Sequence, residues 1–223
     1  MKLAPALAHS LFMSLFIVIS PCAMADNFDF LVSDQQGEAL KAVVIEPVSD
    51  VSDTGDSQAV AVIDQVNKRF TPDQLVITTG QAVDFPNSDN IRHHVYSFSR
   101  AKTFELKLYA DTPEKPVNFP EHGVVVLGCN IHDTMIGYIF VSDSKDTVTT
   151  NETGHATLST DADIASVRVW HKHQSQGPEK LKQVALDALK QDETGRYQIR
   201  IETTAPEPTN SFEDTFRGIS AAD

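Results

Sequence analysis

Residues 124–141 read VVVLGCNIHDTMIGYIFV, which is two apolar runs on either side of a short polar loop. Runs of this kind, rich in Val and Ile, predict β-strands. The loop carries Cys129, His132 and Met135 at spacings of three residues. The pattern therefore predicts two strands joined by a loop that gathers a thiol, an imidazole and a thioether.

Donors of these three types suit copper, because thiolate and thioether favour Cu(I) and imidazole accepts both oxidation states. A lone buried cysteine is usually structural, but its combination with His132 and Met135 favours a metal site. Two strong ligands and one weak one leave a trigonal site incomplete, so we expect a second histidine from elsewhere. His93 and His94 are the candidates. Neighbouring strand residues point to opposite faces, and alternation alone leaves the choice between them open.

The rest of the body is rich in short runs of strand-forming residues separated by turn residues. These runs cover residues 28–32, 42–45, 60–63, 75–78, 83–85, 95–98 and 104–108. Many short strands at such spacing predict an all-β chain folded as an antiparallel sandwich. Residues 180–190 fit both a helical stripe and a strand alternation that resumes at Tyr197, and we interpret the region as a hairpin.

Three further motifs accompany the loop: FPN at residues 85–87, HHVYSFS at 93–99 and KTFEL at 102–106. With these motifs the chain resembles the cupredoxins, such as plastocyanin and amicyanin. It most closely resembles the plastocyanin-like periplasmic proteins often labelled methylamine utilization proteins. The resemblance implies a Greek-key cupredoxin sandwich over residues 58–143 that holds one type 1 (blue) copper.

The resemblance also implies a ligand set. Cys129 and His132 match the equatorial ligands, and Met135 matches the long axial one. Matching Val95 to the valine of the cupredoxin His-Asn-Val run makes His93 the upstream ligand. His94 then stands in place of the asparagine that commonly braces the ligand loop, and Asp133 stands where the family has proline.

Segments outside this block have a resemblance of their own. Residues 34–44, 149–158 and 167–171 look like strands of a transthyretin-like or carboxypeptidase-regulatory-like module. We expect a second small β-sandwich from residues 26–57 with 144–202, with Trp170 in its core. Two arrangements are open. Either the module is discontinuous, with the cupredoxin domain inserted into it, or the chain forms two independent subdomains in series.

Both ends of the chain have distinctive compositions. Residues 1–25 combine Lys2, an apolar run and Ala23-Met24-Ala25, which predicts a cleaved secretory signal and a periplasmic protein without stable membrane insertion. Removal of the signal takes Cys22 with it and leaves Cys129 as the single cysteine. Residues 203–223 are expected to be a disordered tail.

Three other histidines are expected to lie outside the metal site. His122 is interpreted as a loop residue before the strand at residue 124. His171 and His173 share a face if their strand continues, which allows a minor metal site. A solvated strand end is the simpler interpretation of that pair.

The charge balance bears on function. A total of 31 Asp and Glu against 18 Lys and Arg gives a net charge of −13, which argues against a nucleic-acid binder and suits a basic protein partner. No Gly-rich phosphate loop or nucleophile elbow occurs in the sequence, so we expect no enzyme.

We expect an exported one-electron carrier that meets a cytochrome or a periplasmic oxidoreductase. The alternatives are a periplasmic copper carrier, sensor or assembly factor, and a scaffold in which the metal serves stability alone.

Overall fold

The structure is a computed structural model that describes residues 25–50, 52–55, 59–111, 113 and 115–204. Residues 1–24 of the expected signal, with Cys22, and residues 205–223 of the expected tail lie outside the described residues. In the part that is described, no helix is long and apolar enough to cross a membrane.

The described chain is almost entirely β-structure, with a short 3-10 turn at Leu186–Ala188. Its strands are β1 (Asp26–Ser33), β2 (Val44–Val48), β3 (Ala61–Val62), β4 (Asp64–Val66), β5 (Arg69–Thr71), β6 (Gln74–Thr78), β7 (Ala82–Asp84), β8 (His93–Ser99), β9 (Lys102–Tyr109), β10 (Val117–Asn118), β11 (Gly123–Cys129), β12 (His132–Ser142), β13 (Val148–Thr149), β14 (His155–Thr160), β15 (Ser166–Trp170), β16 (Lys182–Ala185), β17 (Lys190–Gln191) and β18 (Tyr197–Arg200). The expected all-β class with two sandwiches is confirmed.

The first sandwich is built from strands β3 to β12. A five-stranded sheet in the order β6-β12-β11-β8-β9 and a three-stranded sheet in the order β10-β7-β3 share one core, beside the β4–β5 hairpin. Alternation along β11 turns Val125, Leu127 and Cys129 into that core. The same periodicity that makes the strand amphipathic therefore fixes the direction of the Cys129 thiol.

The second sandwich uses strands from both sides of the first in the chain. Sheets β14-β1-β18-β17 and β13-β2-β15-β16 enclose a separate core that contains Phe30, Ile45, Leu158 and Val169. Strands β1 and β2 precede the first sandwich, and β13 to β18 follow it. The domain limits at residues 58 and 143 stay a prediction.

Two expectations about strand pairing were wrong. The sandwiches are mixed rather than antiparallel, because β6 pairs with β12, β3 with β7 and β1 with β18 in parallel. Parallel neighbours need a long connection, and β1 and β18 are separated by nearly the whole described chain. Residues 180–190 and the strand at Tyr197 were expected to form one hairpin. Instead β16 pairs with β15, and within this region the hairpin consists of β17 and β18.

The two sandwiches meet in a third apolar cluster. Trp170 is fully buried there, with its ring centroid 5.8 Å from that of Tyr138 and 6.0 Å from that of Phe140. Its Nε1–H donates to the Pro178 carbonyl at 2.6 Å. The expectation that Trp170 lies in the core of the second sandwich was wrong. Val169 takes that core position, and alternation turns Trp170 to the opposite face of β15.

A buried carboxylate joins the sandwiches beside this cluster. Glu46 in β2 is fully buried, and its Oε1 accepts from Ser142 Oγ at 2.7 Å and from the Asp143 N–H at 2.8 Å. His122 Nε2 lies 2.9 Å from its second oxygen, and Arg168 donates to that oxygen at 3.1 Å. Burial raises the pKa of Glu46, but the contacts with His122 and Ser142 outweigh it and hold that pKa below its ordinary value. His122 is therefore a structural partner of Glu46.

His171 differs from the expected solvated strand end, because it is buried. The chain turns back directly after β15, where the Gln174 N–H donates to the His171 carbonyl at 3.0 Å. The ring of His173 lies 5.6 Å away, centroid to centroid. Burial lowers the pKa of His171 to about 4, and the neighbouring His173 and Lys172 charges contribute.

We expect acid to destabilise the protein through this histidine. Below its ordinary pKa of 6.5 the unfolded chain protonates His171, whereas the folded protein keeps it neutral until about pH 4. Stability therefore falls as the pH drops between these values, by up to about 3 kcal/mol from this group, and changes no further below them. Urea unfolding at about pH 7 and about pH 4.5 measures the loss. His171→Gln is the control, and an equal loss in that variant contradicts the assignment.

Candidate metal centre

Three strands bring the cluster together at one end of the first sandwich. Cys129 ends β11, His132 begins β12 and His93 begins β8. The pairing register shifts between Gly128 and Cys129, so that Cys129 lies opposite His132 across a tight turn. A second register shift falls between His93 and Val95. Such bulges re-aim side chains at strand ends, and here they direct His93 and Cys129 toward each other.

The donor atoms lie close together. Cys129 Sγ is 3.6 Å from His93 Nδ1 and 3.7 Å from His132 Nδ1, and the three atoms all lie within 4.8 Å of one another. A metal about 2.0 Å from imidazole nitrogen and about 2.3 Å from thiolate sulfur separates the two donors by about 3.5–3.7 Å at tetrahedral to trigonal angles. The separations and the donor chemistry therefore fit one small ion held by two imidazoles and one thiolate.

The two candidate upstream histidines have different surroundings. His93 is fully buried, whereas His94 lies on the other face of β8 with its Nε2 3.0 Å from Glu105 Oε1. The backbone of residue 94 takes part in holding the loop, since the Asn130 N–H donates to the His94 carbonyl at 3.3 Å. Position 94 therefore contacts Glu105 on β9 through its side chain and Asn130 through its backbone.

Met135 and His132 are the other members of the predicted set. Met135 is buried in the same core as Cys129, three residues along the chain from His132. His132 is half-buried and its ring centroid is 5.0 Å from that of His93. Asp133 is exposed. Within the described ranges, one group of three or more His, Cys, Asp or Glu side chains is placed to hold a metal, and it consists of His93, Cys129 and His132. No cluster of this kind in those ranges includes His122, His171 or His173.

Asp89 is a member of the site that the sequence analysis did not find. Its Oδ2 lies 2.7 Å from His93 Nε2, so a carboxylate acceptor keeps the proton on Nε2 and leaves the Nδ1 lone pair facing Cys129. The N–H groups of Asn67 and Lys68, in the left-handed β4–β5 turn, donate to the same carboxylate at 2.6 and 2.9 Å. Burial raises the pKa of Asp89, but these hydrogen bonds outweigh it and lower that pKa.

We expect Asp89→Asn to weaken metal binding by about 10- to 100-fold, the usual cost of losing a partner that orients a metal-binding histidine. An amide can turn its NH2 group toward Nε2 and favour the other tautomer, which places a proton on Nδ1. Titration with Cu(II) against a competing chelator measures the affinity. Ser88→Ala, which removes the neighbouring hydroxyl bonded to Asp64 at 2.7 Å, is the matched control. Equal affinities for the two variants contradict the assigned role.

A buried polar network supports the loop that carries Asp89. Gln65 is fully buried, and its Nε2 donates to the Tyr109 hydroxyl at 2.6 Å, which in turn donates to the Phe85 carbonyl at 2.7 Å. Burial raises the pKa of Tyr109, so the hydroxyl stays protonated. Asn87 Nδ2 donates to the Ile91 carbonyl at 2.8 Å. The FPN motif at residues 85–87 was the available sequence signal for this loop.

Comparison with known proteins gives limited similarity. No family model matches the sequence, and no curated protein matches it. Part of the chain is similar to a Cu-containing nitrite reductase from Thermus scotoductus SA-01, at 24% identity and a TM-score of 0.36, over 43% of this chain and 25% of that one. A purple cupredoxin from Nitrosopumilus maritimus is 24% identical over 38% of this chain and 100% of its own, with a TM-score of 0.33. A reduced amicyanin variant is 18% identical over 44% of this chain and 99% of its own, with a TM-score of 0.32.

The chain spans about a quarter of the length of that nitrite reductase. Similarity at these identities and TM-scores assigns neither a family nor an activity. The chemistry of the site follows instead from the positions of His93, Cys129 and His132.

Proposed function

We propose that this protein is an exported copper protein that carries single electrons. His93, Cys129, His132 and Met135 are the proposed ligands. The observation that carries the proposal is the approach of two imidazole nitrogens to one buried thiol at 3.6 and 3.7 Å. The motifs shared with cupredoxins support the same ligand set.

The donor types decide which ion fits. When bound, copper would supply one-electron chemistry by alternating between Cu(I) and Cu(II), which mixed sulfur and imidazole donors suit. His93 and Met135 are shielded from solvent and His132 is half-buried. Asp89 holds one imidazole in its binding tautomer. The chain therefore supplies largely buried donors that need little rearrangement to hold an ion.

A carrier is favoured over an enzyme for a coordination reason. Four protein donors would fill the coordination of the ion and leave no open position for a substrate. We also propose that the protein is related to the methylamine utilization proteins. We propose that its partner is a cytochrome or a periplasmic oxidoreductase. Export is proposed from residues 1–25, and amino-terminal sequencing of the protein from a periplasmic fraction should give Asp26 first.

A redox titration tests the proposed function. Protein loaded with one Cu(II) per chain should show a reversible one-electron couple, and copper should stay bound through the cycle. Rapid release of Cu(I) to a chelator such as bicinchoninate would support a copper carrier instead. Absence of a reversible couple contradicts the electron-carrier proposal.

We expect Met135→Leu to keep the visible colour and to raise the reduction potential. Loss of a weak sulfur donor removes electron density that stabilises the more highly charged Cu(II) ion. The shift should be on the order of 60 mV, a tenfold change for one electron. Leucine fills nearly the same buried volume, so the fold is retained. An unchanged potential by voltammetry shows that Met135 does not act on the metal.

A further inference from the structure

We propose that a basic redox protein docks on the outer face of the five-stranded sheet, where Tyr96 and Phe98 project beside the second sandwich. The redox character of the partner rests on the proposed function. The docking face itself rests on exposure, shape and charge.

The central strands of this sheet present apolar side chains on the outer face, and the second sandwich covers part of them. Along β12, Tyr138 and Phe140 pack against Trp170 of the second sandwich, but Ile136 on the same face is 47% exposed. On β8, Phe98 is 81% exposed and its ring lies 5.2 Å from that of Tyr96, centroid to centroid. An apolar surface that continues a buried interface into solvent is a typical protein-binding site.

This surface reaches the metal ligands directly. Tyr96, Gly128 and Ile136 lie opposite one another on adjacent strands, so they form one row across the sheet. A Cβ atom on Gly128 would lie 2.8 Å from Tyr96 Cζ, so glycine allows the tyrosine ring to rest on the backbone next to Cys129. An open cleft of about 360 Å³ beside this row is lined in part by Cys129 and Met135. A partner seated here would lie against the strand that holds the proposed thiolate.

The charges around the cleft indicate the chemistry of the partner. The charged residues that line it are both acids, Asp133 and Glu179, and Glu105 is exposed at the end of the Tyr96 row. Glu179 comes from the second sandwich and accepts from Ser99 Oγ at 2.7 Å. With a net charge of −13, the face attracts a surface whose apolar centre is ringed by Lys and Arg. A second copy of this chain would bring like charges together.

Binding of mammalian cytochrome c, a basic haem protein, tests the docking face. We expect the amide NMR shifts of the full-length protein to change mainly at residues 96–99 and 126–128. Phe98→Ser should weaken binding by about tenfold, and added salt should weaken it further. Val62→Ser, an exposed apolar residue on β3 (49% exposed), is the matched control and should change the Kd by less than about twofold.

Two results would overturn the proposal. The first is that the shifts cluster around residues 130–133 and that Ile131→Ser, rather than Phe98→Ser, weakens binding, which places the partner on the His132 loop. The second is a dimer in sedimentation that Phe98→Ser dissociates, which makes a second copy the occupant. The metal-free protein is measured in parallel. If the protein never forms a coloured copper site but still binds cytochrome c through Phe98, the proposed function is wrong and the docking face stands. If it forms the copper site but Phe98→Ser does not weaken binding, the docking face is wrong and the proposed function stands.

Discussion

We expect Cys129→Ala to abolish the visible absorption of the copper-treated protein and to lower its copper affinity by more than about 100-fold. The intense colour of a copper–thiolate site comes from the sulfur, and Cys129 is the one thiol among the described residues. Loss of a direct ligand should cost more than loss of an orienting partner, for which 100-fold is about the upper range. Absorption spectra and chelator competition on wild type and variant provide the two readouts.

Ser97→Ala is the matched control for this variant. Ser97 is as buried as Cys129 and also faces inward, from the neighbouring strand β8, so it tests whether a small loss of core volume alone disturbs the site. Circular dichroism should show that both variants keep the β-structure. Colour retained by Cys129→Ala would remove Cys129 from the ligand set.

We expect Trp170→Ala to destabilise the protein by about 3–5 kcal/mol, the usual cost of removing a fully buried aromatic side chain. The indole fills the space between the sandwiches, against Tyr138 and Phe140, and its N–H is satisfied by the Pro178 carbonyl. Collapse around the vacated volume is restricted, because the nearby Glu46 contacts tie the same two sandwiches. Urea unfolding followed by circular dichroism measures the change.

Phe98→Ala serves as the comparison for Trp170→Ala. It also removes an aromatic ring, but the ring is 81% exposed, so the expected change in the free energy of unfolding is below about 0.5 kcal/mol. Equal losses of unfolding free energy in the two variants would contradict a stabilising role of the Trp170 cluster between the sandwiches.

Local patterns indicated the two strands beside the candidate site, but the loop expected to carry Cys129, His132 and Met135 is shorter than predicted. Cys129 ends β11, and His132 and Met135 lie in β12. The apolar runs at each end of residues 124–141 correctly indicated β11 and β12, because runs rich in Val and Ile favour strands whatever their distant partners. The spacing of Cys129 and His132 pointed to the candidate site, where both lie close to His93, and the role of Met135 stays a prediction. Alternation could not choose between His93 and His94, since the bulge that orients His93 depends on its pairing with β9.

Long-range associations were missed because their partners lie far apart in the chain. Glu46 directly follows the predicted strand run at residues 42–45, and its partners His122 and Ser142 are 76 and 96 residues away. A signal for the interface was nevertheless present. Ile139, Phe140 and Val141 are consecutive apolar residues, which is typical of a strand buried on both faces.

Asp89 was missed for a different reason. Its loop has the composition of a turn, where Asp and Asn side chains usually hydrogen-bond to nearby backbone groups. In the structure its carboxylate instead joins the β4–β5 turn to His93. An acid four residues before a candidate metal-binding histidine was the available clue.

Titration of the purified protein with Cu(II), followed by visible absorption, tests the central claim most directly. Convergence of His93, Cys129, His132 and Met135 on one ion predicts an intense sulfur-to-copper band that grows linearly and stops at one copper per chain. A solution that stays colourless at every copper ratio, or colour that rises without saturation, would contradict it.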